Sequence, residues 1–225
     1  MPIPNFMARI GSIIRPSRTI PRTPWTSDHR WKINPLRFVV LLFGLSLFGF
    51  GEALIVKAGL GNSPWVVFAQ GVSRHTNISV GEATFFISAV ILAIWFPLNE
   101  RPGFGTLANM VVIAMTLQVG LDHFPVFANL PSQLIAVFAG IALVGIGSGF
   151  YITCGLGPGP RDGLMTALHQ KTGVRVGRVR MSIEILVFLI GALLGGKVGL
   201  GTALFALLIG NAVALSFKLV SNFSN

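Results

Sequence analysis

The chain is short of acid. Only 7 of its 225 residues are Asp or Glu, and charged residues of both signs make up 11%. A soluble domain carries about a quarter charged residues. So few charges cannot clothe a globular surface of this size, which excludes a soluble enzyme. The single cysteine, Cys154, excludes a disulfide framework, an iron–sulfur cluster and a cysteine-rich zinc site. The 4 histidines are scattered and give no metal-ligand spacing of the H-E-x-x-H kind. No G-x-x-x-x-G-K-[ST] loop is present and no nucleophile–base pair stands out. The expectation is a protein that is not an enzyme and holds no cofactor and no metal.

What is abundant is apolar. Hydrophobic residues make up 52% of the chain and its mean hydropathy is +0.75. Such a chain has lipid as its main solvent. The 17 Lys and Arg give a formal charge of +10. In a soluble protein that excess would suggest nucleic acid. Beside a membrane it marks cytoplasmic flanks, and no nucleic-acid partner is expected.

Residues 1–35 differ from the rest. They hold Pro2, Pro4, Pro16, Pro21, Pro24 and Pro35, and Arg9, Arg15, Arg18, Arg22, Arg30 and Lys32 against Asp28 alone. No apolar run of signal-peptide length follows Met1. The segment reads as a basic, Pro-rich cytoplasmic tail that fixes orientation. Alternatively it is an arm for anionic lipid or for a membrane protein partner. Trp25 and Trp31 suit anchoring at the membrane interface.

Six apolar stretches approach the twenty residues a bilayer demands: 36–56, 83–98, 103–121, 131–154, 181–196 and 198–217. Two others, 64–72 and 160–169, are too short to span. With the N-terminus inside, 14 of the 17 basic residues fall on the cytoplasmic side and Lys57, Arg74 and Lys197 fall outside. That bias supports six spans with both termini cytoplasmic.

The chain also repeats itself. Displaced by 96 positions, Gly49-Phe-Gly51 meets Gly145-Ile-Gly147, and Gly59-Leu-Gly61-Asn-Ser-Pro64 meets Gly155-Leu-Gly157-Pro-Gly-Pro160. Val80-Gly81 meets Val176-Gly177, and Gly103-Phe-Gly105-Thr106 meets Gly199-Leu-Gly201-Thr202. The matches fall on helix breakers rather than on interchangeable Leu and Val, which is the mark of an internal repeat. Each copy holds three spans, so tandem copies lie upside down relative to one another. The expected fold is an all-α polytopic membrane protein of six transmembrane helices. It divides into two inverted three-helix repeats, 36–121 and 131–220, each with a Gly/Pro-broken loop and a short helix. Many secondary transporters have this architecture.

The breaks point to a site. In both copies a helix ends at Gly-x-Gly, a Pro follows and a short helix begins. Paired interruptions of this kind mark substrate sites in inverted repeats, and helix N-termini attract anions. The expected substrate-binding residues are Gly61, Pro64, Gly157, Gly159, Pro160, Arg161 and Asp162. Arg161 offers a planar fork for a carboxylate or phosphate. Asp162 either orients Arg161 or meets a substrate amine. The bland alternative is that the glycines only let helices pack and turn. Glu52, Glu82 and Glu184 lie at or within spans, where ionisable groups are functional candidates by default. Glu184 follows Arg180 by four residues, so an intrahelical ion pair is expected. Glu82 suits a helix start. Glu184 and then Glu52 are the candidates for proton coupling. Gly191-Ala-Leu-Leu-Gly195 and Gly145, Gly147 and Gly149 read as close helix contacts. Tyr151 and Cys154 read as packing residues, and His75, His123 and His169 as interfacial.

The segments 157–165, 178–184 and 195–202, with 59–65 and 103–106 of the first copy, resemble the YczE-like bacterial membrane proteins of the wider YczE/YyaS/YitT group. The resemblance covers roughly residues 38–217 and is sharpest at Gly159-Pro-Arg-Asp-Gly163. It implies a multi-pass protein of the bacterial cytoplasmic (inner) membrane and brings no established site residues. The leading functional expectation is a transporter of a small anionic or zwitterionic metabolite. The alternative is a non-catalytic subunit or assembly factor of a larger membrane complex.

Overall fold

The computed structural model describes residues 20–223. Among them it has eight α-helices and no strand: α1 (Pro35–Ala58), α2 (Pro64–Thr76), α3 (Val80–Leu98), α4 (Phe104–His123), α5 (Leu130–Thr153), α6 (Pro160–Thr172), α7 (Val176–Leu193) and α8 (Leu200–Ser221). The boundaries follow local chemistry. Asn34 caps α1 by accepting from Arg37 N, and Asn129 caps α5 by accepting from Ser132 N, as expected of short polar N-caps. Glu82 forms a reciprocal capping box with Ser79 at the start of α3. Its role is therefore the helix start read from the sequence. Pro stands in the first turn of α1, α2, α5 and α6, where its missing N–H costs nothing.

Five helices are long and apolar enough to cross a membrane: α1, α3, α4, α5 and α8. The expected sixth span falls short of that description. Helix α7 starts at Val176 rather than 181, and this brings Arg178 and Arg180 into the same 18-residue helix as Glu184.

Helix α1 lies against α5, with α4 packed on α1 and α8 packed on α5. The α1–α5 crossing is a backbone contact. A Cβ on Gly44 would stand 2.9 Å from Gly147 O, and one on Gly51 would stand 2.7 Å from Gly140 O. Small residues at helix crossings are how lipid-embedded helices gain van der Waals contact. These two contacts are related by the 96-residue displacement, and so are others. Gly49 abuts Thr116 as Gly145 abuts Ala212, and Gly120 abuts Ala53 as Gly149 abuts Ser216. The loops cross over in the same paired way: Gly105 N donates to Leu156 O at 2.8 Å, and Gly201 N donates to Leu60 O at 2.7 Å. Of the two glycines in 191–195, Gly191 packs against the Phe68 backbone, whereas Gly195 lies beyond the end of α7 in a turn with φ +84°, beside the Arg74 side chain.

The described part of the N-terminal segment, residues 20–34, is not a free tail. Trp25 is buried and its indole N–H donates to Thr153 Oγ1 at 3.0 Å. Ser27 N donates to Cys154 O, Phe104 N donates to Arg30 O, and Arg30 pairs with Glu100 at 2.7 Å. The interfacial role expected of Trp25 is therefore replaced by insertion, because the indole N–H finds a buried acceptor at the end of α5. Trp31 is half exposed. The tail residues 1–19 lie outside the described residues.

Candidate functional site

Two kinks set the site. Gly61 and Gly157 hold φ of +106° and +109°, a left-handed conformation open to glycine at no steric cost. Each presses onto the start of a helix from the other half: Gly61 on Gly199 and Thr202, Gly157 on Gly103 and Thr106. Thr106 Oγ1 donates to Pro158 O at 2.8 Å and holds one kink in place. The chain then enters α2 at Pro64 and α6 at Pro160. Neither helix has a side-chain cap, so their leading N–H groups keep the partial positive charge of a helix start.

Between these two starts lies a cavity of about 130 Å³. Its wall is assembled from residues displaced by 96: Phe48 and Val144, Glu52 and Ser148, Ser63 and Gly159, Trp65 and Arg161, Asn109 and Phe205, Ile113 and Ile209. Of the residues expected from the sequence, Glu52, Pro64, Gly159, Arg161, Asp162, Arg180 and Glu184 line this cavity. Gly61, Gly157 and Pro160 lie behind it. The two glycines form the turns that lead into α2 and α6, and the buried Pro160 gives its carbonyl to the Trp95 indole N–H at 3.0 Å.

Glu52 is almost fully buried in α1. Ser63 Oγ reaches both carboxylate oxygens at 2.9 Å. Ser63 sits at the N-cap of α2 yet turns its hydroxyl to Glu52 instead of the helix.

Arg161 lies over an aromatic face. Its guanidinium carbon is 5.0 Å from the centre of the Trp65 ring, within the range of a cation–π contact. Among the described residues no hydrogen bond or ion pair holds the guanidinium. Glu52, Asp162, Tyr151 and Glu184 line the same cavity. Asp162 does not orient Arg161. Its Oδ2 instead accepts from the Tyr151 hydroxyl at 2.8 Å. Tyr151 is therefore a cavity residue and not merely packing. Its phenol needed a partner inside an apolar helix, and that need was the signal available in the sequence. Cys154 is buried, as expected of a packing residue. At the cavity edge Arg180 Nε donates to Glu184 Oε1 at 2.9 Å, the pair expected from their spacing.

The site thus combines two guanidinium groups, three carboxylates, a phenol and two uncapped helix starts. Among the described residues no group of three or more His, Cys, Asp and Glu is gathered to hold a metal ion.

Comparison with known proteins places the chain in a family. DUF6198, a family of unknown function, matches residues 35–218. An uncharacterized protein of Haemophilus influenzae is 43% identical over 91% of this chain and 94% of its own. The membrane protein YczE of Bacillus subtilis is 33% identical over 78% of this chain and 82% of its own. YyaS of the same organism is 22% identical over 75% and 86%. No solved structure matches the chain at a significant level. With its apolar helices and these relatives, the chain belongs to the YczE-like membrane proteins of the DUF6198 family.

Proposed function

We propose that this protein is a transporter, and not an enzyme, for a small solute that carries an anionic group, either an anion or a zwitterion. In this reading the helices form two inverted-topology repeats, with α7 as a sixth crossing. Both termini are cytoplasmic in the bacterial inner membrane, and the cavity sits on the axis that relates the repeats. The observation that carries the proposal is Arg161: a cation in a cavity inside the bundle, stacked on Trp65 and held by no hydrogen bond within the described chain.

Arg161 is half-buried and, among the described residues, its N–H groups hold no hydrogen bond, which leaves them open to a ligand. A carboxylate or phosphate of a substrate supplies a partner with paired N–H···O bonds. The starts of α2 and α6 add fixed positive ends. The carboxylates make a zwitterion the better fit, since Asp162 and Glu52 can receive an ammonium group. Glu184, held by Arg180, and Glu52, held by Ser63, are the groups proposed to couple a proton to the solute.

The subunit reading rests on the glycine-rich helix faces and on the basic tail. Residues 20–34 bind their own bundle through Trp25 and Arg30, which weakens that reading for this part of the segment. The test is extraction from native membranes in mild detergent, followed by mass spectrometry of everything retained. An anionic or zwitterionic solute held by the native protein and absent from Arg161→Ala supports transport. A protein partner in fixed ratio, with no solute in either preparation, favours the complex subunit.

A further inference from the structure

The 96-residue pairing fails at one place. In the first half, α3 and α4 close on each other at Gly81. A Cβ there would stand 2.7 Å from Ala114 O and 2.6 Å from Gln118 Cβ, and Gly81 N donates to Gln118 Oε1 at 3.1 Å. The counterparts in the second half are Gly177, Gly210 and Ala214. A Cβ on Gly177 or on Gly210 meets nothing within 4 Å. Gly81 and Ala114 are buried, whereas Gly177 and Gly210 are exposed. The second half therefore keeps the residues of a close seam, two glycines and an alanine, without the seam.

Gly177 instead borders a groove of about 600 Å³ between α7 and the first half of α8, walled by Met181, Phe188, Thr202 and Ala206. It shares Pro64, Arg180 and Glu184 with the central cavity. The groove between α7 and α8 thus adjoins the cavity at these residues, while α3 and α4 are in contact at Gly81.

From this asymmetry we infer that the α7–α8 and α3–α4 seams are two gates that exchange: a second state closes Gly177 against Gly210 and Ala214 and parts Gly81 from Gln118. The inference rests on the transporter reading for its purpose. If the halves run in opposite directions, the gates serve opposite sides of the membrane. Gly177 lies beside Arg175 and Arg178, on the side marked cytoplasmic by basic residues. Gly81 lies near Arg74, on the far side. Closing one gate while opening the other exposes the same Arg161 site to each side in turn, with the loops at Leu60 and Leu156 as pivots. The first seam closes a glycine on Ala114 and Gln118, and the second holds Gly177, Gly210 and Ala214, so each arrangement offers a close backbone contact. Two packings of near-equal energy are what an exchange requires.

The test needs no substrate. Gly177→Cys and Ala214→Cys are combined in a Cys154→Ala background, and the full chain is reconstituted in phospholipid vesicles with a short bis-maleimide crosslinker. No atom lies within 4 Å of a Cβ at Gly177 in the state described here, so a rise in the link above the parent pair reports closer approach. Gly81→Ala wedges the α3–α4 seam, and Gln118→Ala removes the bond that fastens it without adding bulk. Either change is expected to raise the 177–214 link by about fivefold or more, the scale of an ordinary coupling between two sites. Equal yields in the parent pair and in both variants, with each protein monodisperse, would overturn the exchange. Should Gly81→Ala fail to fold, Gln118→Ala decides alone. Because the link is scored without solute, its failure leaves the Arg161 binding test standing, and failure of that test leaves the link standing.

Discussion

Trp65 and Arg161 occupy equivalent positions of the repeated sequence and touch across the cavity, with the guanidinium carbon 5.0 Å from the centre of the indole. One copy supplies the aromatic face and the other the cation, so duplication followed by divergence has placed two complementary groups at a shared centre. This relationship makes the cavity a candidate for binding rather than a packing fault.

Replacing Arg161 with Lys keeps the charge and loses the planar fork, so solute affinity is expected to fall about tenfold, a difference of roughly 1.4 kcal/mol. Trp65→Ala removes the stacking contact, on the order of 1 kcal/mol, and leaves the guanidinium free to turn. Its expected effect is smaller than that of Arg161→Ala. Titration of the retained solute onto each purified variant checks the order: Arg161→Ala weakest, then Arg161→Lys, then Trp65→Ala.

Glu52→Gln keeps the shape of a side chain that receives Ser63 Oγ on both oxygens and removes its ability to carry a proton. Folding is expected to survive, with a Tm at or above that of the native protein, because no charge is left buried. Transport driven by a pH gradient should disappear while exchange of solute across the membrane persists. Parallel gradient-driven and exchange assays in vesicles separate the two, and loss of both would remove Glu52 from proton coupling.

The α1–α5 crossing is expected to tolerate no side chain. A Cβ at Gly51 would lie 2.7 Å from Gly140 O and 2.9 Å from Val144 N, and backbone cannot swing aside as a flexible side chain does. Gly51→Val is therefore expected to cost at least 1–3 kcal/mol, the range for overpacking. The yield of monodisperse protein and its Tm in detergent give the readout, with Gly177→Val, where the space is open, as the harmless control.

Much of this was legible in the sequence. The two copies and their breaks lie on glycines and prolines whose backbone roles leave little freedom, and these set the ends of α1, α2, α5 and α6. Cavity residues such as Glu52, Arg161, Arg180 and Glu184 stood out because charge inside an apolar run needs a reason. What escaped was pairing in space. That Asp162 meets Tyr151 rather than Arg161, and that Ser63 meets Glu52 rather than its own helix, depends on how α1, α2, α5 and α6 cross, which no local pattern encodes. The length of α7 escaped for a related reason. Its first turn is basic and reads as loop, yet the chain is helical from Val176.

Trp25 tests the docking of the N-terminal segment. The side chain is 7% exposed and its N–H is satisfied by Thr153. Trp25→Ala is expected to cost about 3 kcal/mol through lost burial and the lost hydrogen bond to Thr153 Oγ1. Thermal unfolding in detergent measures the loss, and a change within error would mean that residues 20–34 contribute nothing to the bundle.

The central claim, that Arg161 and its cavity carry a solute across the membrane, is tested most directly by counterflow. Vesicles containing the purified protein are loaded with a mixture of amino acids, organic acids and phosphate esters, and entry of each labelled compound is followed in native and Arg161→Ala protein. The account predicts that at least one anionic or zwitterionic compound enters through the native protein and that Arg161→Ala abolishes its entry. Entry that is unchanged in Arg161→Ala, or confined to cations and neutral solutes, would contradict it.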